Sequence, residues 1–131
     1  MNITRGTAWG HRAGRLLLAG QFVYGGYLAA RDPGARPAAL ERAGMPGGAD
    51  LVRLNGGAMV VGGLALGAGV LPRAASIGLI ASLLPTTVIG HPFWREQDPA
   101  ARSAHTLQFV KNLSMLGGLL IAATSPQPDH R

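Results

Sequence analysis

Across residues 54–94 the chain reads "LNGGAMVVGGLALGAGVLPRAASIGLIASLLPTTVIGHPFW" and carries a single charged side chain, Arg73. That stretch decides the solvent in which the protein folds. A helix on the surface of a water-soluble domain needs polar side chains recurring every three or four residues on one face. Asn55, Ser76, Ser82, Thr86 and Thr87 are too few and too weakly polar to make one. Residues 54–71 and 74–90 instead each approach the ~20 apolar residues that cross a ~30 Å hydrocarbon core at 1.5 Å per residue. Pro72 and Arg73 supply the break and polar tip of a tight hairpin between them.

Two flanking segments extend the pattern. "LLLAGQFVYGGYLAA", residues 16–30, follows Arg12 and Arg15 and contains Gln21, and "LQFVKNLSMLGGLLIAAT", residues 107–124, holds Lys111 and Asn112 near its start. Both read as spans whose terminal cations snorkel to the interface. The first also has the outline of a signal peptide, although Gln21 and Tyr24 interrupt its apolar run. The expected architecture is all-α: one membrane domain over residues 1–131, an integral four-helix bundle of up-and-down topology. Its helices are expected at 13–30, 54–71, 74–90 and 107–124, with a flexible tail at 125–131. In the loops, "ALERAG" predicts a short surface helix ending at Gly44. Asp98 is placed to cap a turn opened by Pro99.

Composition agrees with lipid. The 131 residues are 47% hydrophobic but only 14% charged, against about 25% charged in ordinary soluble domains. Twenty glycines would each cost about 1 kcal/mol relative to Ala in a water-exposed helix. Between lipid-embedded helices small residues instead permit close backbone approach. Three small-residue stripes are expected to face neighbours: Ala74-Gly78-Ser82-Thr86, Ser114-Gly118-Ala122 and Gly63-Gly67. The net charge of +6 is scattered between apolar runs, and it lacks the clustering on one face that nucleic-acid binding requires. Cysteine is absent, so the chain does no thiol or iron–sulfur chemistry itself. The four histidines show no metal-ligand spacing, and no metal site is predicted.

Threading four helices up and down sorts the functional candidates. One face collects Arg53 and Asn55, then His91 and Trp94, then Gln108, Lys111 and Asn112. The proline after His91 excludes it from a continuing helix. Phe93, Trp94 and Arg95 have the composition of an interfacial belt. His91, Lys111 and Asn112 fit that belt less well, because polar groups within apolar helices usually face the bundle interior or a wet cavity. With Trp94, Asn55 and Gln108 they make a candidate site for quinone carbonyl oxygens or an anionic head group. Arg15 and Arg73, on the opposite face, read as interface anchors at the phosphate level, as do Phe93 and Arg95 on theirs.

"GRLLLAGQFVYGGYLAA", "GGLALGAGVLPRAAS", "HPFW" and "FVKNLSMLGGLL" together, in this order and spacing, resemble the DoxX family of small four-helix bacterial membrane proteins. The resemblance runs from about Gly14 to Ala122. It implies a multi-pass protein of the bacterial inner membrane, distantly similar to the small membrane subunit of thiosulfate:quinone oxidoreductase. It also implies an association with membrane redox or oxidative-stress complexes, and it points by position to Arg73, His91-Pro92-Phe93-Trp94 and Lys111-Asn112. Where many relatives place an acidic residue before "GGLAL", this chain has Met59. The expected role is an accessory subunit rather than an independent enzyme, with quinone as the one cofactor to consider. Its expected partners are the lipid bilayer and other redox-complex proteins, with no nucleic acid. The alternative is a non-catalytic scaffold binding proteins or lipids, and a transporter would require a homo-oligomer to enclose a path.

Overall fold

The computed structural model describes residues 3–126, and the tail at 127–131 lies outside the described residues. The only regular secondary structure of these residues is helical, with no strand: α1 (Ile3–Arg31), α2 (Arg36–Arg42), α3 (Gly48–Ala68), α4 (Pro72–Gly90) and α5 (Pro99–Thr124), with a 3₁₀ turn at Phe93–Arg95. There are thus five α-helices where the sequence predicts four spans. The fifth, α2, is the short surface helix of the first long loop. It closes as "ALERAG" predicts: Gly44 takes φ 77°, while Gly44 and Met45 donate N–H bonds to the carbonyls of Glu41 and Leu40. This is the Schellman arrangement, for which a glycine carries no Cβ penalty.

Three of the helices are long and apolar enough to cross a membrane, over Gly48–Ala68, Pro72–Arg95 and Pro99–Thr124. The fourth expected span, in α1, is long but more dilute. Its 29 residues include Arg5, Arg12, Arg15, Gln21, Tyr24 and Tyr27.

Contacts between the long helices pair residues whose numbers run in opposite directions. Arg15 lies on Gly69, Ala19 on Gly67, and Gly26 on Gly56. Asn55 meets Ser82, and Gly62 meets Leu79. Arg73 meets Ala123, and Asn112 meets Thr87. Successive long helices are therefore antiparallel, and α5 returns to α1 through Gly118 and Leu18. The buried centre is small: Phe22, Leu66, Leu79, Leu83 and Leu119, with Leu18, Met59, Ile80, Met115 and Leu116 around it. Many large apolar side chains point outward instead, among them Leu17 at 78%, Leu64 at 58% and Ile121 at 66% exposure. Water would make such a surface costly, while lipid is the solvent it matches.

Small residues set the closest approach. A Cβ on Gly56 would stand 2.6 Å from the Gly26 carbonyl oxygen, and one on Gly63 would stand 2.9 Å from a Val23 methyl. Gly63, Gly67 and Gly118 face neighbours as expected. The Ala74-Gly78 part of its stripe does not: Gly78 has nothing within 4 Å, and with Ala58, Gly62 and Ala65 it lines an open groove of about 350 Å³ between α3 and α4. The hairpin tip also differs from expectation. It is formed by Gly69, Val70 and Leu71, and Pro72 and Arg73 already belong to α4. Proline suits the first helical turn, where its missing N–H is no loss, and it denies the preceding residue the right-handed helical region. Leu71 takes φ 45°, in the left-handed region that closes the tip.

Candidate functional site

The face that holds both long loops is organised by the reversal between α4 and α5. Pro92 ends α4: His91 leaves helical geometry with φ −129° and ψ 58°, although its N–H still reaches the Thr87 carbonyl. Pro92 itself has φ −80° and ψ 69°, and Phe93 N–H bonds to the His91 carbonyl at 2.9 Å. Together these make an inverse γ-turn. The 3₁₀ turn follows, and Asp98 then starts α5 by accepting a hydrogen bond from Ala101 N–H at 2.9 Å, with Pro99 in the first turn. A carboxylate cap on orphan N–H groups is the standard reason a helix begins where it does. Because the cap fixes the start of α5, it also fixes which residues come back beside α4.

The residue brought back is His105. Its Nδ1 lies 3.3 Å from Nδ1 of His91, with ring centroids 5.6 Å apart and planes inclined by 48°. Such a contact holds one hydrogen, donated by one ring to the lone pair of the other. Beside the pair, Phe93, Trp94 and Phe109 form an edge-to-face cluster. Phe93 stands 5.2 Å from both Trp94 and Phe109, at 79° and 78°, and Trp94 is 5.9 Å from Phe109 at 89°. Rings so inclined place positive edges on negative faces.

Deeper in, about one turn from His91, Asn112 Nδ2 donates to Thr87 Oγ1 at 3.1 Å in a buried position, and Thr87 Oγ1 donates to the Leu83 carbonyl. On the α3 side of α4, Asn55 Nδ2 donates at that same level to Thr86 Oγ1 at 3.3 Å, and about one turn further down Ser82 Oγ donates to Asn55 Oδ1 at 2.6 Å. The polar side chains thus descend in layers from one face toward the middle. Each layer joins two different helices, as polar groups at lipid-embedded helix contacts do.

The residues picked from sequence are divided by this geometry. His91 belongs to the histidine pair, Trp94 to the aromatic cluster, and Asn112 and Asn55 to the buried layers. Lys111, next to Asn112, is exposed, because adjacent helical residues point in different directions. Gln108 is half-buried and Arg95 exposed. The structure therefore does not gather His91, Lys111 and Asn112 around one point: Asn112 bonds Thr87 and Lys111 is exposed. His105, Phe109, Thr87 and Ser82 are the partners that reading along the chain misses. His105 has no metal-ligand spacing in the sequence, and the signal that places it is the Asp98 cap. Counted from that cap, His105 stands two turns into α5, opposite the end of α4.

On the other face Arg73 Nε donates to the Ala123 carbonyl at 3.0 Å. It ties the start of α4 to the end of α5, where a cation offsets the negative end of the helix dipole. Arg15 lies against Gly69 at the end of α3, its nearest guanidinium nitrogen 3.3 Å from where a Cβ would stand.

No curated protein and no solved structure shows a significant match to the chain. A family model does match, that of DoxX, over residues 10–92. That segment takes in the arginine-led α1, the hairpin and α4 as far as the His91-Pro92 stop. With three helices apolar enough to span a bilayer and a family match over more than half its length, the protein belongs to the DoxX family of membrane proteins.

Proposed function

We propose that the chain is a single-domain, multi-pass protein of the bacterial inner membrane, in which α1 joins α3, α4 and α5 as a fourth span of an up-and-down bundle. Its function is that of an accessory subunit of a membrane redox complex. It holds a quinone head group, or a polar group of similar shape, at the face of His91 and His105. The observation that carries this reading is the histidine pair set beside the Phe93–Trp94–Phe109 cluster, with polar side chains layered beneath it. A quinone ring needs an aromatic wall and a donor for a carbonyl oxygen, and the imidazole that accepts within the pair carries its hydrogen on the outer ring nitrogen, free to supply one. Leu16 and Leu17 of α1, exposed like Leu64, Ile77 and Leu120 of the other long helices, support its placement among the spans.

The test is titration of a ubiquinone or menaquinone analogue into detergent-purified protein. Saturable binding is expected, weakened about tenfold or more by His91→Ala and by His105→Ala, since each removes a hydrogen-bond partner from a poorly solvated site. Binding that is absent, or indifferent to both changes, removes the proposal. A second reading, a scaffold for partner proteins, is favoured by the small-residue groove between α3 and α4. A single partner recovered by crosslinking from membranes, and retained in both histidine variants, would favour it.

A further inference from the structure

The two faces of the protein differ in how their charges are compensated. On the long-loop face Arg31, Arg36, Arg42, Arg53, Arg95, Arg102 and Lys111 share space with Asp32, Glu41, Asp50, Glu96 and Asp98, and the one described salt bridge, Arg53 to Asp50 at 3.9 Å, lies there. On the hairpin face stand Arg5, Arg12, Arg15 and Arg73, with no Asp or Glu among the described residues of that face. Arg15 is the most confined of the four. It is half-buried against the Gly69 turn, and its Nε is covered without a hydrogen-bond partner among the described residues. Among the described residues no carboxylate stands on that face to pair with the guanidinium, and only the carbonyl end of α3 beside Gly69 offsets its charge in part.

Beyond Arg15, α1 leaves the packed part of the molecule. Residues 5–14 are exposed without exception, and Gly6, Gly10 and Gly14 have nothing within 4 Å of a Cβ position. Arg5, Trp9 and Arg12 follow one another at spacings of four and three, which puts them on one side of the helix, and Trp9 is 71% exposed. At 1.5 Å per residue Arg12 stands about 5 Å, and Trp9 about 9 Å, further out than Arg15. The head-group layer on each side of a bilayer is of comparable thickness, roughly 5–8 Å. Tryptophan is the residue that settles at that depth, and arginine pairs bidentately with phosphate oxygens there.

We propose that this face is a binding surface for the phosphate of anionic lipids, centred on Arg15 where α1 crosses the Gly69 turn and flanked by Arg12 and Arg73. The long-loop face, with its carboxylates interspersed, does not select such lipids. Full-length protein reconstituted in nanodiscs of phosphatidylcholine mixed with phosphatidylglycerol, then released into the gas phase for native mass spectrometry, tests this. Phosphatidylglycerol is expected to be retained in excess over its share of the mixture. Arg12→Gln and Arg15→Gln should each lower that excess by roughly fivefold, the effect of one basic residue near an anionic surface. Arg42→Gln and Arg102→Gln, on the opposite face, should leave it unchanged. Arg15→Lys keeps the charge and should retain most of the selectivity if the fold is intact. Excess inorganic phosphate should displace little of the lipid. Retention in proportion to the mixture, equal losses from variants on both faces, or full displacement by inorganic phosphate would each overturn the proposal.

Discussion

Gly26 and Gly56 show how a single atom governs the contact between α1 and α3. A Cβ on Gly56 would meet the Gly26 carbonyl at 2.6 Å and the Ala30 nitrogen at 2.8 Å. Both are backbone atoms, which cannot rotate away. Gly56→Ala is therefore expected to destabilise the protein by about 2–3 kcal/mol, the upper part of the range for overpacking. Gly78→Ala, with open space around it, should not destabilise and should add up to about 1 kcal/mol. Reversible unfolding in detergent measures both, and equal effects would contradict the packing described. Residues of this kind are only half legible in sequence. Glycine stripes at four-residue spacing mark Gly63, Gly67 and Gly118 correctly, yet the same rule selects Gly78, which faces a groove. Spacing reveals which residues share one side of a helix. Which side meets a neighbour is set by the register between helices, and Gly26 with Gly56 is a product of that register.

At the scale of elements, termini carry more information than hydropathy. Apolar content predicts a start for the last helix at residue 107, but α5 begins at Pro99, because the Asp98 carboxylate takes up the Ala101 N–H. The cap itself is legible in "DPAAR", whereas its continuity with the apolar run is not. Asp98→Ala should cost about 1 kcal/mol and should raise amide hydrogen exchange over residues 100–103, leaving the middle of α5 protected. Unchanged exchange there would mean that the carboxylate does not hold the helix start. The same element explains the histidine pair. Pro92 stops α4 and Asp98 starts α5, so His91 and His105 meet although 14 residues separate them. His91 is visible as the end of an apolar run. Its partner emerges only when both boundaries are fixed together.

For the molecule as a whole, the medium is the most legible property and the task the least. A stretch from 54 to 94 with one charge forces lipid on any fold, and the structure answers with a core of five large buried side chains and a surface crowded with leucine, isoleucine and valine. The ligand is less legible because its recognition rests on side chains from different elements, His91 and His105 among them. Lipid coverage of these outward apolar faces, α1 included, is open to direct measurement. Since the chain has no cysteine, single replacements report without background. Leu17→Cys, Leu64→Cys, Ile77→Cys and Leu120→Cys probe the four long helices, and Ala35→Cys and Ser103→Cys probe exposed positions on the long-loop face. In intact membranes opened to both sides, a membrane-impermeant maleimide should modify the two loop-face cysteines and leave the four helix cysteines unmodified, although all six positions are exposed in the isolated chain. Modification of the helix positions as fast as the loop-face ones would show water around helices that a bilayer should cover, and would contradict their placement in hydrocarbon.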